Sequence, residues 1–151
     1  MTRDPQLIRA LLIYTEAHQD GNQPLEIPAY QDLATWLPTY SPPEGVDMPS
    51  VTNFILGHMQ LMIDADLAAG TVYVDKTGWP GVTVVGRMPE PWFDKLTPDG
   101  YDLLAAMRNE SVWRTVMEKI ASAGGSFTMA ALKSVSSKAL SDLLTSSSNG
   151  G

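Results

Sequence analysis

The stretch from Val51 to Thr71 constrains the fold of this chain more than any other part of the sequence. At about 100° per residue, its apolar side chains cover most of a helix circumference, which is typical of a helix buried on nearly all sides. The narrow strip left for water carries Asn53, Gly57, Gln60 and Asp64. We therefore predict a buried helix over residues 51–69. Its apolar residues are Val51, Phe54, Ile55, Leu56, Met59, Leu61, Met62, Ile63 and Leu67.

A β-hairpin is predicted directly after this helix. Gly70 is expected to end the helix in a left-handed conformation and to pass the chain to a strand. The arms Thr71–Asp75 and Val82–Arg87 are rich in β-branched residues, and Lys76–Gly81 supplies turn-forming glycines and a proline. Trp79 at the tip either folds back on the hairpin or anchors a partner. A buried helix followed by such a hairpin is typical of a winged helix.

Caps and apolar periodicity predict further helices on both sides of the central one. Asp4 and Thr97 each precede a proline, a combination that starts a helix. Leu25–Ile27 is predicted as a short edge strand, Pro38–Pro49 as a structural or mobile loop, and Met88–Phe93 as an extended connector. The predicted helices run over Pro5–His18, Ala29–Leu37, from Pro98 to a break near Asn109, from Val112 to Gly124, and Thr128–Leu144.

The length and composition fit one domain. A chain of 151 residues with 44% hydrophobic residues fills a single core, which we place at residues 1–145, with a disordered tail at 146–151. The expected fold class is mainly α with a small antiparallel hairpin sheet, namely a winged-helix domain with a C-terminal helical extension. Cysteine is absent, and no segment resembles a membrane span or a signal peptide. We therefore expect a cytoplasmic protein.

Acidic residues are concentrated in the N-terminal half of the chain. The formal net charge is −7, and no Lys or Arg occurs between Ala10 and Asp75. An acidic half repels phosphate and attracts basic surfaces, although surface acids also serve solubility alone. The acids of this segment are Glu16, Asp20, Glu26, Asp32, Glu44, Asp47, Asp64, Asp66 and Asp75.

Three blocks of the sequence resemble a small domain family of unknown function that is carried mainly by phages and prophages. The blocks are Thr2–Arg9, His58–Ala65 and Leu96–Arg108, the last followed by Val112-Trp113 and by Gly124-Gly125-Ser126. The resemblance implies a winged-helix-like fold and no particular activity. Between Tyr30 and Pro49 this chain departs from the family, in which the connection is much shorter.

The sequence contains no pattern that indicates catalysis. His18 and His58 lie forty residues apart and outside any zinc spacing, and we interpret His58 as a core histidine bonded to backbone. Asp64 and Asp66 would lie on different faces of a helix, which is unsuitable for a shared proton or cation. Neither a nucleophile elbow nor a phosphate-binding glycine loop is present. We therefore expect no enzymatic activity, no cofactor and no metal.

Two functions remain, and we favour the first. It is a non-enzymatic module whose acidic half binds a basic surface of a host or phage protein, as an inhibitor or regulator of host defence or transcription. The alternative is a DNA-binding regulator that reads the major groove with helix 51–69, through Asn53 and Gln60. Against this alternative, helix 51–69 contains no Lys or Arg to neutralise DNA phosphates. The candidate contact residues are Glu44, Asp47, Asn53, Gln60, Asp64, Lys76, Thr77 and Trp79.

The last predicted helix leaves the oligomeric state open. Its leucine-rich face either covers the core of its own domain or pairs with a second copy in a homodimer. The residues of this face are Leu132, Val135, Leu140, Leu143 and Leu144.

Overall fold

Six helices and three short strands form the part of the chain that the computed structural model describes, which is residues 3–20, 23–29, 31–42, 44–45, 47–71 and 91–149. The mainly helical fold with a small antiparallel sheet is confirmed. In chain order the elements are α1 (Pro5–His18), β1 (Leu25–Glu26), α2 (Leu33–Trp36), α3 (Met48–Asp64), β2 (Ala68–Thr71), β3 (Trp92–Leu96), α4 (Pro98–Arg108), α5 (Glu110–Ser122) and α6 (Met129–Asn149).

Side-chain caps start α1 and α4 where the sequence predicts them. The Asp4 carboxylate accepts a hydrogen bond from the Gln6 amide at 2.9 Å, and α1 has the predicted bounds. The Thr97 hydroxyl accepts from the Gly100 amide at 3.0 Å and starts α4. Asn109 ends α4 and caps α5, which confirms the predicted break between them.

The predicted bounds of the central helix, 51–69, are wrong at both ends. The helix begins at Met48, inside the predicted loop Pro38–Pro49, because the Asp47 carboxylate caps it. α3 runs from Met48 to Asp64, and the chain turns at Asp66, whose φ of 59° is left-handed. Asp tolerates this conformation better than most residues, so the turn does not require glycine. Gly70 lies instead inside β2, where a Cβ would lie 2.5 Å from the carbonyl oxygen of Trp92. The glycine is therefore needed for close strand pairing.

The sheet has the strand order β1-β3-β2, with both pairs antiparallel. Trp92 and Phe93 belong to its central strand, so the predicted extended connector at 88–93 is wrong for these two residues. β3 pairs with strands that are distant along the chain, and a bulge interrupts its pairing with β2 between Ala69 and Gly70. The order of elements from α1 to β3 is compatible with a winged helix. The predicted hairpin lies outside the described residues, both in its tip Lys76–Gly81 and in its arms beyond Thr71.

The observed bounds of α2 and α6 also differ from the predicted ones. The predicted helix Ala29–Leu37 is limited to α2, because backbone turns occupy Ala29 to Gln31 and the Asp32 carboxylate then caps the Ala34 amide at 3.3 Å. At the other end of the chain, α6 continues through residues 146–149, which we predicted as disordered. Neither proline nor glycine interrupts the helix before Gly150, so the backbone pattern continues.

The core lies where α1 packs against α3, β3 and α4. α1 contributes four fully buried aliphatic residues, and the buried side of α3 contributes two methionines and an isoleucine. α5 and α6 cover the remaining side of α4 with Val116, Leu132 and Ala139. The fully buried side chains are Leu7, Ile8, Leu11, Leu12, Ile27, Ile55, Met59, Met62, Leu67, Phe93, Leu104 and Met107.

Candidate interaction surface

The outward side of α3 carries the polar strip that the sequence predicts. Asn53 and Asp64 are exposed, and Gly57 and Gln60 are half-buried. The Gln60 amide donates to the Asp64 carboxylate at 2.8 Å, one helical turn further on. This strip therefore presents two side-chain amides and one carboxylate, and the Gln60 amide is bonded to the carboxylate. It contains no cation.

Asp47 has a structural role in this surface. Its carboxylate caps α3 by accepting from the Ser50 amide at 2.9 Å. Hydrogen bonds from the side chain and from the backbone amide of Ser50 lower the pKa of Asp47 below its usual range, because they favour the charged form. Glu44 is exposed in the loop that precedes it. Lys76, Thr77 and Trp79, which we predicted as contacts at the hairpin tip, lie outside the described residues.

The acidic character predicted for the N-terminal half is visible at the surface. No Lys or Arg stands between Ala10 and Thr71, so nothing within that segment neutralises its acids. Asp66 follows α3 and is exposed beside Asp64, so the C-terminal end of α3 carries two carboxylates. We predicted both residues on one helix, which is wrong, because α3 ends at Asp64 and Asp66 lies in the turn that follows. The exposed acids of the described segment are Asp20, Glu26, Asp32, Glu44, Asp47, Asp64 and Asp66.

Two arginines form ion pairs that connect helices. Arg108 pairs with Glu16 at 2.9 Å and thereby joins α4 to α1. Arg9 pairs with Glu110 at 2.9 Å, donates to the Met107 carbonyl, and lies 5.4 Å from the ring centre of Trp113. These bases stabilise the scaffold and leave the outward side of α3 acidic.

Lys133 connects α6 to the end of α3. Its ammonium donates to the carbonyl oxygen of Ala65, the C-cap residue of α3, at 2.9 Å. It also pairs with Asp99 at the start of α4, at 2.8 Å. A cation is favourable at the C-terminal end of a helix, where the backbone carbonyls point. No local pattern predicts this contact, because the two residues are 68 positions apart in the chain.

His58 is a fully buried histidine bonded to backbone, as predicted. Its Nδ1 lies 2.8 Å from the Phe54 carbonyl oxygen, and its Nε2 accepts from the Asp4 amide at 2.8 Å. The Asp4 carboxylate also accepts from the Tyr40 hydroxyl at 2.6 Å. Sequence reasoning found the buried histidine but missed Asp4 and Tyr40, since periodicity identifies a buried face without its distant partners.

A groove of 530 Å³ lies between α4 and α6. Its lining is mostly small or apolar, with the Asp99–Lys133 pair among its polar groups, and sequence reasoning did not identify it. Among the described residues, no three His, Asp or Glu side chains are grouped so that they could hold a metal ion. None of the described helices combines the length and apolar content needed to cross a membrane. The groove residues are Asp99, Asp102, Leu103, Ala105, Ala130, Lys133, Ser134, Ser137 and Leu140.

The model of a family of hypothetical proteins, DUF2513, matches residues 2–126. The chain belongs to the DUF2513 family. The matched segment includes α1 to α5 with the sheet, and α6 follows it. The resemblance to a domain family of unknown function is thus confirmed, and its description names neither a substrate nor a partner. No curated protein and no solved structure matches the chain.

Proposed function

We propose that this DUF2513 protein is a non-enzymatic winged-helix module that binds a basic surface of another protein with α3 and the acidic segment around it. The observation that carries the proposal is the outward side of α3, where Gln60 is bonded to Asp64 and to which α3 itself contributes no Lys or Arg. Carboxylates on such a face attract basic surfaces and steer their approach. From the family resemblance, we further propose that the partner is a host or phage protein. The module would then act as an inhibitor or regulator of host defence or transcription.

DNA reading is the second candidate, and the order of the elements favours it. A winged helix commonly inserts its third helix into the major groove, and the exposed Asn53 occupies the outward side of α3 here. Phosphate neutralisation by Lys and Arg dominates such affinities, however, and α3 has neither residue. Gln60 is also bonded to Asp64, so base contact would require this bond to break.

Asp64→Lys tests the proposal without disturbing the fold. Asp64 is the exposed last residue of α3, and a cation suits this end of a helix. Asp47→Lys would be a poor test, because it removes the cap of α3. Glu118→Lys is the matched control, since Glu118 is exposed on α5 and the charge change is identical.

Fluorescence anisotropy with a labelled Lys/Arg-rich peptide and with labelled duplex DNA gives the comparison. We expect peptide binding that weakens with salt, weakens further in Asp64→Lys, and is retained in Glu118→Lys, because charge close to the contact acts most strongly. We expect no binding of duplex DNA. Equal losses in both variants would indicate bulk charge alone, and tight DNA binding strengthened by Asp64→Lys would favour DNA reading.

A further inference from the structure

The start of α1 is held to α3 by a hydrogen bond that requires a neutral histidine. The carbonyl oxygen of Phe54 only accepts, so His58 Nδ1 carries the hydrogen and donates to it at 2.8 Å. In the neutral ring, Nε2 is then the acceptor for the Asp4 amide, also at 2.8 Å. The His58 side chain is fully buried, so water cannot replace this contact while the segment is docked.

We propose that His58 is an acid-sensitive latch, in which a proton on Nε2 releases the Asp4 amide and undocks the start of α1 from α3. A protonated ring donates from both nitrogens, so two N–H groups would face each other at the Asp4 contact. The hydrogen bond to the Phe54 carbonyl oxygen uses the Nδ1–H group, which both the neutral and the protonated ring carry, so this bond is retained. The change is confined to the Asp4 side of the ring.

The charged and titratable groups around His58 come from the start of α1 and the loop before α3. Burial is the main cause that lowers the pKa of His58, and the charge of Arg3 adds to it, whereas the Phe54 carbonyl and the Asp4 charge raise it. Burial, and next the hydrogen bond and charge of Asp4, raise the pKa of Tyr40. The Tyr40 hydroxyl therefore remains a donor to Asp4, and His58 is the group that changes state in mild acid.

The direction of the pH dependence follows from linkage. The pKa of His58 is lower in the docked state than its ordinary value of about 6.5. The docked state is therefore fully favoured above about pH 6.5 and loses stability as the pH falls below it. The undocked fraction should rise about tenfold for each pH unit, down to the pKa of the docked state.

Undocking would also loosen the turn before α6. Arg3 donates to the carbonyl oxygen of Phe127 at 3.2 Å, close to the left-handed Gly124 and Gly125. A cleft of 430 Å³ beside this segment includes Asp4, Arg9 and Tyr40 in its lining. Acid would therefore act at one edge of the domain, where α1 starts, and leave the outward side of α3 unchanged.

Amide hydrogen exchange of the full chain, followed by NMR over a range of pH, tests the latch. The protection factor of the Asp4 amide should fall about tenfold per pH unit below about pH 6.5. The Val116 amide in the buried part of α5 should stay more protected than the Asp4 amide throughout this range, because it exchanges only when the domain unfolds. A pH-independent Asp4 amide, or an Asp4 amide that is as well protected as Val116 at every pH and so opens only with the whole domain, would overturn the proposal.

Two variants assign the effect to His58. His58→Gln offers an oxygen acceptor to the Asp4 amide and does not titrate, so its Asp4 protection should be flat with pH. His18→Gln is the control, because His18 is exposed, and it should keep the wild-type profile. If His58→Gln does not fold, the wild-type ring nitrogens of His58 decide. The pH midpoint of their chemical shifts must coincide with the pH at which the Asp4 amide loses protection. A loss of protection that instead follows the chemical shift of the Asp4 carboxyl carbon contradicts the latch.

Discussion

Gly100, in the first turn of α4, lies against the backbone that follows α3. A Cβ at this position would lie 2.0 Å from the carbonyl oxygen of Leu67, which also accepts from the Thr97 amide at 3.1 Å. Neither backbone group can move without disturbing the start of α4. The fit of this glycine therefore fixes how α4 joins the sheet to the helices.

Gly100→Ala should lower the free energy of unfolding by about 1–3 kcal/mol or more, because the added methyl group overpacks a backbone contact. Gly45→Ala is the comparison, since Gly45 has a φ of 80° but open space around it. Its cost should be limited to about 1–2 kcal/mol for the left-handed conformation. Urea denaturation measures both, and a smaller loss for Gly100→Ala than for Gly45→Ala would contradict this packing.

At single residues, the sequence predicted environments better than partners. The apolar pattern around His58 identified a core histidine bonded to backbone, which is correct. The Asp4 and Tyr40 contacts join segments 54 and 36 residues apart, and no local pattern encodes them. Gly70 was misread for a similar reason, since its requirement comes from Trp92 on another strand.

At the scale of elements, the bounds of α1 and α4 were predictable, whereas those of α2 and α3 were not. Asp4 and Thr97 carry the start of a helix in their own side chains, so the sequence shows it directly. The end of α3 depends on a left-handed Asp66, and the start of α2 on the backbone turns at Ala29 to Gln31. β3 was missed because its pairing with β1 and β2 is long-range.

α6 is an integral part of the fold by its packing, although it follows the segment matched by the family. Met129, Leu132 and Ala139 are buried, and Lys133 connects α6 to α3 and α4. This packing favours the prediction that the leucine-rich face covers its own domain. The homodimer stays a prediction for the exposed end of α6, where Leu144 is 59% exposed.

A chain that ends at Ser126 should be less stable than the full chain, because each large apolar side chain returned to water costs about 1.5–3 kcal/mol. Circular dichroism in urea and sedimentation of both chains measure the change. We expect the shortened chain to lose cooperative unfolding. A folded, monomeric short chain beside a dimeric full chain would instead show that α6 is exchanged between copies.

At the scale of the whole molecule, the uneven charge is the feature that bears on function. The net charge of −7 arises from the N-terminal half, and the bases Arg9, Arg108 and Lys133 are paired within the scaffold. This distribution was predictable because charge is read directly from sequence. The position of the acids around α3 required the fold, since α3, the α2–α3 loop and the turn at Asp66 contribute them together.

The most direct test of an α3 surface for basic partners is to map where a basic ligand binds. The ¹⁵N-labelled full chain is titrated at low salt with a Lys/Arg-rich peptide and, separately, with duplex DNA. We predict that the peptide shifts the amide signals of Asn53, Gln60 and Asp64, and that DNA leaves them unchanged. Peptide shifts confined to α5 and α6, or shifts on α3 that arise only with DNA, would contradict the proposed function.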